Sequence, residues 1–89
     1  MMKFKELLND NDKVVLDISI YYKDDTVVVS GIKFDVYDYI EGNDYIKLYN
    51  IEGTELILPI DSLRYYEEDE TWQYEQGDLQ VYIIIDKKN

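Results

Sequence analysis

Twenty carboxylates and ten tyrosines are the side chains through which this 89-residue chain can do chemistry, for it has no histidine and no cysteine. Without His, no side chain titrates near pH 7 unperturbed, and without Cys there is neither a thiolate nucleophile nor a soft metal ligand. Asp10-Asn11-Asp12 has the opening spacing of a calcium loop, but the Gly and Glu that complete such a loop are missing, and Tyr21 stands at its twelfth place. Paired carboxylates can carry glycosidase-type acid–base work, which also needs a sugar-sized groove and a carboxyl with a raised pKa. The hydroxyls Ser19, Ser30, Ser62, Thr26, Thr54 and Thr71 have no His to activate them, and no glycine-rich phosphate loop is present. The chain is therefore expected to be a binding protein rather than an enzyme, with no cofactor and no metal.

Two acidic series stand out. Glu67-Glu68-Asp69-Glu70 is the densest, with Glu75 and Asp78 following and Tyr65, Tyr66 and Trp72 around it. Such a run is often only a solvated loop. Here the aromatic neighbours are of the types that anchor interfaces, and residues 65–86 contain no Lys or Arg, whereas a surface kept only for solubility mixes both signs. These nine residues are the expected partner-binding site. A secondary candidate face interleaves Asp35, Asp38, Glu41 and Asp44 with Tyr37 and Tyr39. Alternate residues on one strand face recur at roughly 6.6–6.8 Å, about two base-pair rises, so strand-borne carboxylates can be spaced comparably to phosphates.

The elements that must carry these residues are strands. Phe4, Leu7 and Leu8 at i, i+3 and i+4 predict one short amphipathic helix over residues 2–9. From Val14 the period becomes two: Val14, Leu16, Ile18, Ile20 and Tyr22 share an inner face. A long strand from Thr26 to about Ile40 follows, with Val28, Ile32, Phe34 and Val36 inward and a bend or bulge at Gly31. Tyr45–Asn50 and Thr54–Ile60 form a hairpin, for which a three-residue loop Ile51-Glu52-Gly53 is preferred because it pairs Leu48 with Leu56 and Ile46 with Leu58. Pro59 belongs at a strand end or edge. Leu79–Asp86 is the last strand, with Leu79, Val81, Ile83 and Ile85 inward and Thr71–Glu75 as its partner. Trp72 stays open: a two-residue Gln76-Gly77 turn sets it against Val81 in the core, and a three-residue turn sets it against Gln80 outside. Tyr21, Tyr37, Tyr39, Tyr45 and Tyr49 fall on outward registers.

The expected fold is a single mainly β domain, a small antiparallel barrel or strongly bent sheet of five to six strands with one short N-terminal helix. Its layout resembles the SH3-like and Sm-like small barrels in topology. At 46% hydrophobic residues the chain is too apolar for a disordered acidic tail despite a net charge of −11. The absence of Cys and of an apolar leader points to a cytoplasmic protein. The acidity disfavours nucleic acid or an anionic membrane as a direct partner and favours a basic protein, in particular one that binds nucleic acid. In size, charge and fold class the chain is similar to phage-encoded uracil-DNA glycosylase inhibitors and some anti-CRISPR proteins. That resemblance implies a phage-like acidic inhibitor, a nucleic-acid mimic that occupies a basic groove. The alternative expectation is an assembly module that forms a homodimer by protein–protein interaction through its Tyr-rich outer strands.

Overall fold

The structure is a computed structural model that describes Phe4, Leu8 and residues 14–87, with the backbone alone of Lys87. Eight strands follow one another: β1 (Val14–Tyr22), β2 (Val27–Val36), β3 (Asp38–Glu41), β4 (Tyr45–Tyr49), β5 (Glu55–Pro59), β6 (Arg64–Tyr66), β7 (Thr71–Gln76) and β8 (Leu79–Lys87). They form two antiparallel sheets, one in the order β2-β1-β8-β7-β6 and one in the order β3-β4-β5. The helix expected over residues 2–9 lies outside the described residues except for Phe4 and Leu8, each helical in backbone and buried.

Alternation along β1 builds the core. Leu16 lies between Phe34 of β2 and Ile85 of β8, and Ile18 lies between Ile32 and Ile83. From the smaller sheet, Ile46, Leu48 and Leu58 meet them, and these three with Leu16 and Ile83 are fully buried. Burying each such side chain stabilises the fold by about 1.5–3 kcal/mol.

The long strand expected from Thr26 to Ile40 is divided between the two sheets at Tyr37, whose N–H donates to the Tyr49 carbonyl at 2.7 Å. The bulge at Gly31 is present. Between the pairs Ile18–Ile32 and Ile20–Val29, β1 holds only Ser19 while β2 holds Ser30 and Gly31, with Gly31 at φ +73° and its N–H donating to Ser19 Oγ at 3.3 Å. A second register shift follows between Ile20 and Tyr21. Part of the expected inner face is lost: the second shift leaves Val28 unpaired and exposed, and Ile32, still opposite Ile18, is exposed on the edge strand, whereas Phe34 is buried. Tyr22, expected inward, is exposed as well, because it ends β1 beyond the last residue packed on the core, Ile20. Tyr39, expected outward, is half-buried against the core, since it pairs with the inward Leu48.

The β4–β5 hairpin has the preferred register, with Leu48 opposite Leu56 and Ile46 opposite Leu58. Gly53 takes φ +87° and donates its N–H to the Asn50 carbonyl at 3.1 Å, while Asn50 Oδ1 accepts the N–H groups of Glu52 and Thr54. Pro59 ends the edge strand β5, and residues 60–63 turn directly into β6. Both registers weighed for Trp72 are replaced by a third. Gln76 pairs with Leu79 and Trp72 with Ile83, across a two-residue Gly77-Asp78 turn that has φ +60° at Gly77, as a type II′ turn requires at its first central position.

Candidate functional site

Side chains alternate across the larger sheet, so whatever does not enter the core lines its outer face. Cross-strand registers assemble a row of Ile84, Asp17 and Lys33 there, and two further rows beside it. Arg64, Gln73, Tyr82 and Ser19 form one, and Glu75, Gln80, Tyr21 and Val27 the other. The Tyr21 and Tyr82 rings meet edge to face, 5.4 Å between centroids. The Tyr82 hydroxyl donates to Gln80 Oε1, and Gln73 Nε2 donates to Thr71 Oγ1, both at 2.8 Å.

This face holds two shallow grooves with Gln73 and Tyr82 as their common wall. The first, of about 430 Å³, is lined by Ser19, Tyr21, Asp25, Asp69, Thr71 and Ile84. The second, of about 330 Å³, runs past Arg64, Tyr66, Glu75 and Gln80. The first has a tyrosine and isoleucine floor with carboxylates from two separate turns. Burial raises the Tyr82 phenol above its ordinary range, and the negative charges of Asp25 and Glu75 add to the effect. A cation entering the larger groove meets aromatic rings, an amide and two carboxylates together, whereas the smaller one already has Arg64 on its wall.

The expected partner-binding residues are divided by the fold. Glu67, Glu68, Asp69 and Glu70 are all exposed in the β6–β7 turn, where Glu70 takes a left-handed φ of +53° and donates its N–H to the Glu67 carbonyl at 3.3 Å. Of these four, Asp69 lines the larger groove. Tyr66 and Glu75 line the smaller one. Tyr65 and Trp72 are on the opposite register: Trp72 is only 6% exposed, with the Phe4 ring edge-on to it at 5.3 Å and the Tyr65 ring at 5.1 Å. Trp72 is thus a core residue and leaves the surface list. Asp78 sits at the far end of β7 from the acidic run, because a hairpin strand puts its two turns at opposite ends. There its carbonyl accepts the Lys23 N–H at 3.1 Å, and the Lys23 ammonium lies 3.7 Å from Glu75. The stretch free of cations in sequence therefore has a cation beside it in space.

The secondary face is divided too. Asp35 is exposed on β2, Tyr37 is exposed at the junction, and Asp38 and Glu41 begin and end β3 on opposite registers. Tyr39 turns inward, and Asp44 lies in the β3–β4 turn, where its carbonyl accepts the Ile60 N–H.

Tyr21, Asp25, Gln73, Gln80 and Tyr82 are the contributors to the outer face that the acidic run does not reveal. The outward register of Tyr21 is legible from alternation, and that of Tyr82 follows from the inward Val81 and Ile83. Their meeting depends on β1 pairing with β8, a contact between distant segments. In the β1–β2 turn Thr26 holds the Asp24 carboxyl below its ordinary range through hydrogen bonds, the side-chain one first, and on the outer face itself a 2.6 Å bond to Asp17, which pairs with Ile84, raises the Lys33 ammonium. Among the described residues no cluster of His, Cys, Asp and Glu is arranged to hold a metal ion, and no helix is long and apolar enough to cross a membrane. No protein family, curated protein or solved structure matches this chain.

Proposed function

We propose that this is a non-enzymatic acidic binding protein, an inhibitor or decoy that occupies the basic nucleic-acid-binding surface of a DNA- or RNA-handling protein. In this reading the two sheets are halves of a small half-closed barrel of SH3-like layout, and the outer face of the larger one makes the contact. The observation that carries it is the tyrosine-floored groove walled by Asp25 and Asp69, with Glu67, Glu68 and Glu70 on the adjoining turn. Arginine and lysine side chains that ordinarily grip phosphates meet carboxylates there, and their aliphatic stems and cationic heads can lie over Tyr21 and Tyr82. The surrounding charge of the same sign speeds encounter with a cationic surface.

The test is binding to basic nucleic-acid-binding proteins of a host lysate, with added duplex DNA or RNA as competitor. Binding is expected to be displaced by the nucleic acid, to collapse as ionic strength rises, and to be lost when Glu67, Glu68 and Glu70 become Gln and Asp69 becomes Asn. Each of those exposed charges should change stability by no more than about 0.5 kcal/mol, so folding is retained. Binding that ignores salt, competitor and all four substitutions overturns the reading.

A further inference from the structure

The smaller sheet exposes large apolar side chains on its outer face as well. Its inner side chains belong to the core, but the registers of β3, β4 and β5 also define an outward grid in three rows. Asp38, Tyr49 and Glu55 form the first row, Ile40, Lys47 and Ile57 the second, and Tyr45 and Pro59 lie opposite each other in the third. Ile40 is 54% exposed, Ile57 53%, and Ile51, at the tip of the adjoining turn, 80%. Gly42 completes the third row: a Cβ there would run into the Tyr45 ring, so the ring lies directly across the glycine and continues the apolar surface. At the centre of the grid Lys47 makes no ion pair among the described residues, although the chain carries 20 carboxylates. An apolar face bearing one unpaired cation, bordered by two carboxylates, carries both halves of a charge pair on one patch.

We infer that this face binds a second copy of the chain, making a two-fold symmetric dimer. An isologous contact requires a self-complementary patch. A two-fold axis lying across the strands reverses the order of the rows, and with the axis between the first and second rows Lys47 of each copy lies over Tyr49 of the other, flanked by Asp38 and Glu55. Ile40 and Ile57 of each copy then stand opposite Asp38 and Glu55 of the other, covering the methylene stems of those acids while their carboxylates turn to Lys47. Both sheets turn their inner faces to one core, so such a dimer leaves the two groove-bearing acidic faces outside the contact. Beyond the Debye length of about 8 Å at physiological salt, their mutual repulsion is largely screened. The grid spans roughly 10 Å between the outer strand axes and roughly 13 Å along them. That is well short of the ~800 Å² per partner of a standard interface, so the association is reversible and in the micromolar range.

Sedimentation velocity of the whole chain from about 5 to about 200 µM should show a concentration-dependent doubling of mass. Lys47→Glu alone should be monomeric throughout, and so should the double variant Asp38→Lys with Glu55→Lys, because each puts like charges together in its own dimer. Mixing the two should restore dimers, as every cross-copy pair is then of opposite sign. Circular dichroism verifies that each variant is folded. Should a charge variant misfold, Ile57→Thr keeps a β-branched residue at an exposed strand position and should weaken association at least tenfold. A second free apolar strip, the edge of β2, serves as the control: Val28→Lys should leave the dimer intact. The inference is overturned if the native chain stays monomeric at about 200 µM, if the mixed variants fail to pair, or if Val28→Lys abolishes association while Ile57→Thr does not. Replacing the acids at 67–70 should not alter dimerisation, which separates this outcome from that of the groove.

Discussion

Trp72 is the only tryptophan in the chain, and its place shows how much one register decides. It is paired with Ile83 and contacted by the rings of Phe4 and Tyr65. Its fluorescence should therefore be blue-shifted and poorly quenched by acrylamide in the native protein, moving to the red in one step on unfolding. Trp72→Ala removes the largest side chain of the core and should cost about 3–5 kcal/mol, measured by urea unfolding. A red-shifted, fully quenchable native emission would return Trp72 to the surface. At the same scale the tyrosines divide by environment: Tyr74 is packed against the core, Tyr21 and Tyr82 floor the groove, and Tyr45 spreads across Gly42. Their residue type reads as interface in sequence, but only the side of the sheet on which each falls determines what it can touch.

At the scale of elements, turns set the registers. The β1–β2 and β4–β5 connections share one design, three residues ending in a left-handed position, filled by Asp25 at φ +72° in the first and by Gly53 at φ +87° in the second. A Cβ in that conformation costs roughly 1–2 kcal/mol. Gly53→Ala meets no neighbouring atom, so its effect should be that backbone cost alone, a loss of about 1–2 kcal/mol in urea unfolding with an unchanged m-value. A neutral result would show that the turn relaxes into another geometry. The β4–β5 register was legible because one loop length put four apolar residues on one face and the other did not. No such contrast separated the options for β7–β8, where outward Tyr and Gln residues interrupt the pattern, and Gly77 takes the first turn position rather than the last. β6 is not legible in the sequence because three residues, Arg64–Tyr66, are too few to show a period.

For the molecule as a whole, a net charge of −11 works against compactness. Thermal midpoints should rise with added salt, and should rise or hold as pH falls from 7 to 5.5, since screening and partial protonation both relieve repulsion. The individual groups set the limits of that window. Asp24 is held below its ordinary 3.8, so its contribution is present above that value and is lost only as pH falls through the still lower folded value, outside the interval. Burial raises Tyr74 above its ordinary 10.0. The stability it contributes is fully present below that pH and is lost as pH rises through the folded value, which gives an alkaline limb. Midpoints that fall steadily between pH 7 and 5.5 would mean that specific carboxylate pairing outweighs repulsion.

Strand period, the switch at Val14, the bulge at Gly31 and the β4–β5 register follow from local alternation and turn chemistry, which is why the chain by itself determined a mainly β fold and most of its core. Which carboxylates stand together was a tertiary decision. Pairing of β1 with β8 carried the Lys23–Asp25 turn to Glu75 and Asp78, joined Tyr21 to Tyr82 and brought Asp25 to the groove that Asp69 also lines, while the β7 hairpin sent Asp78 away from the acidic run it follows. Alternation tells a residue's face within one strand; the neighbour on that face comes from whichever distant segment pairs with it, and that choice is made by the burial of the whole core.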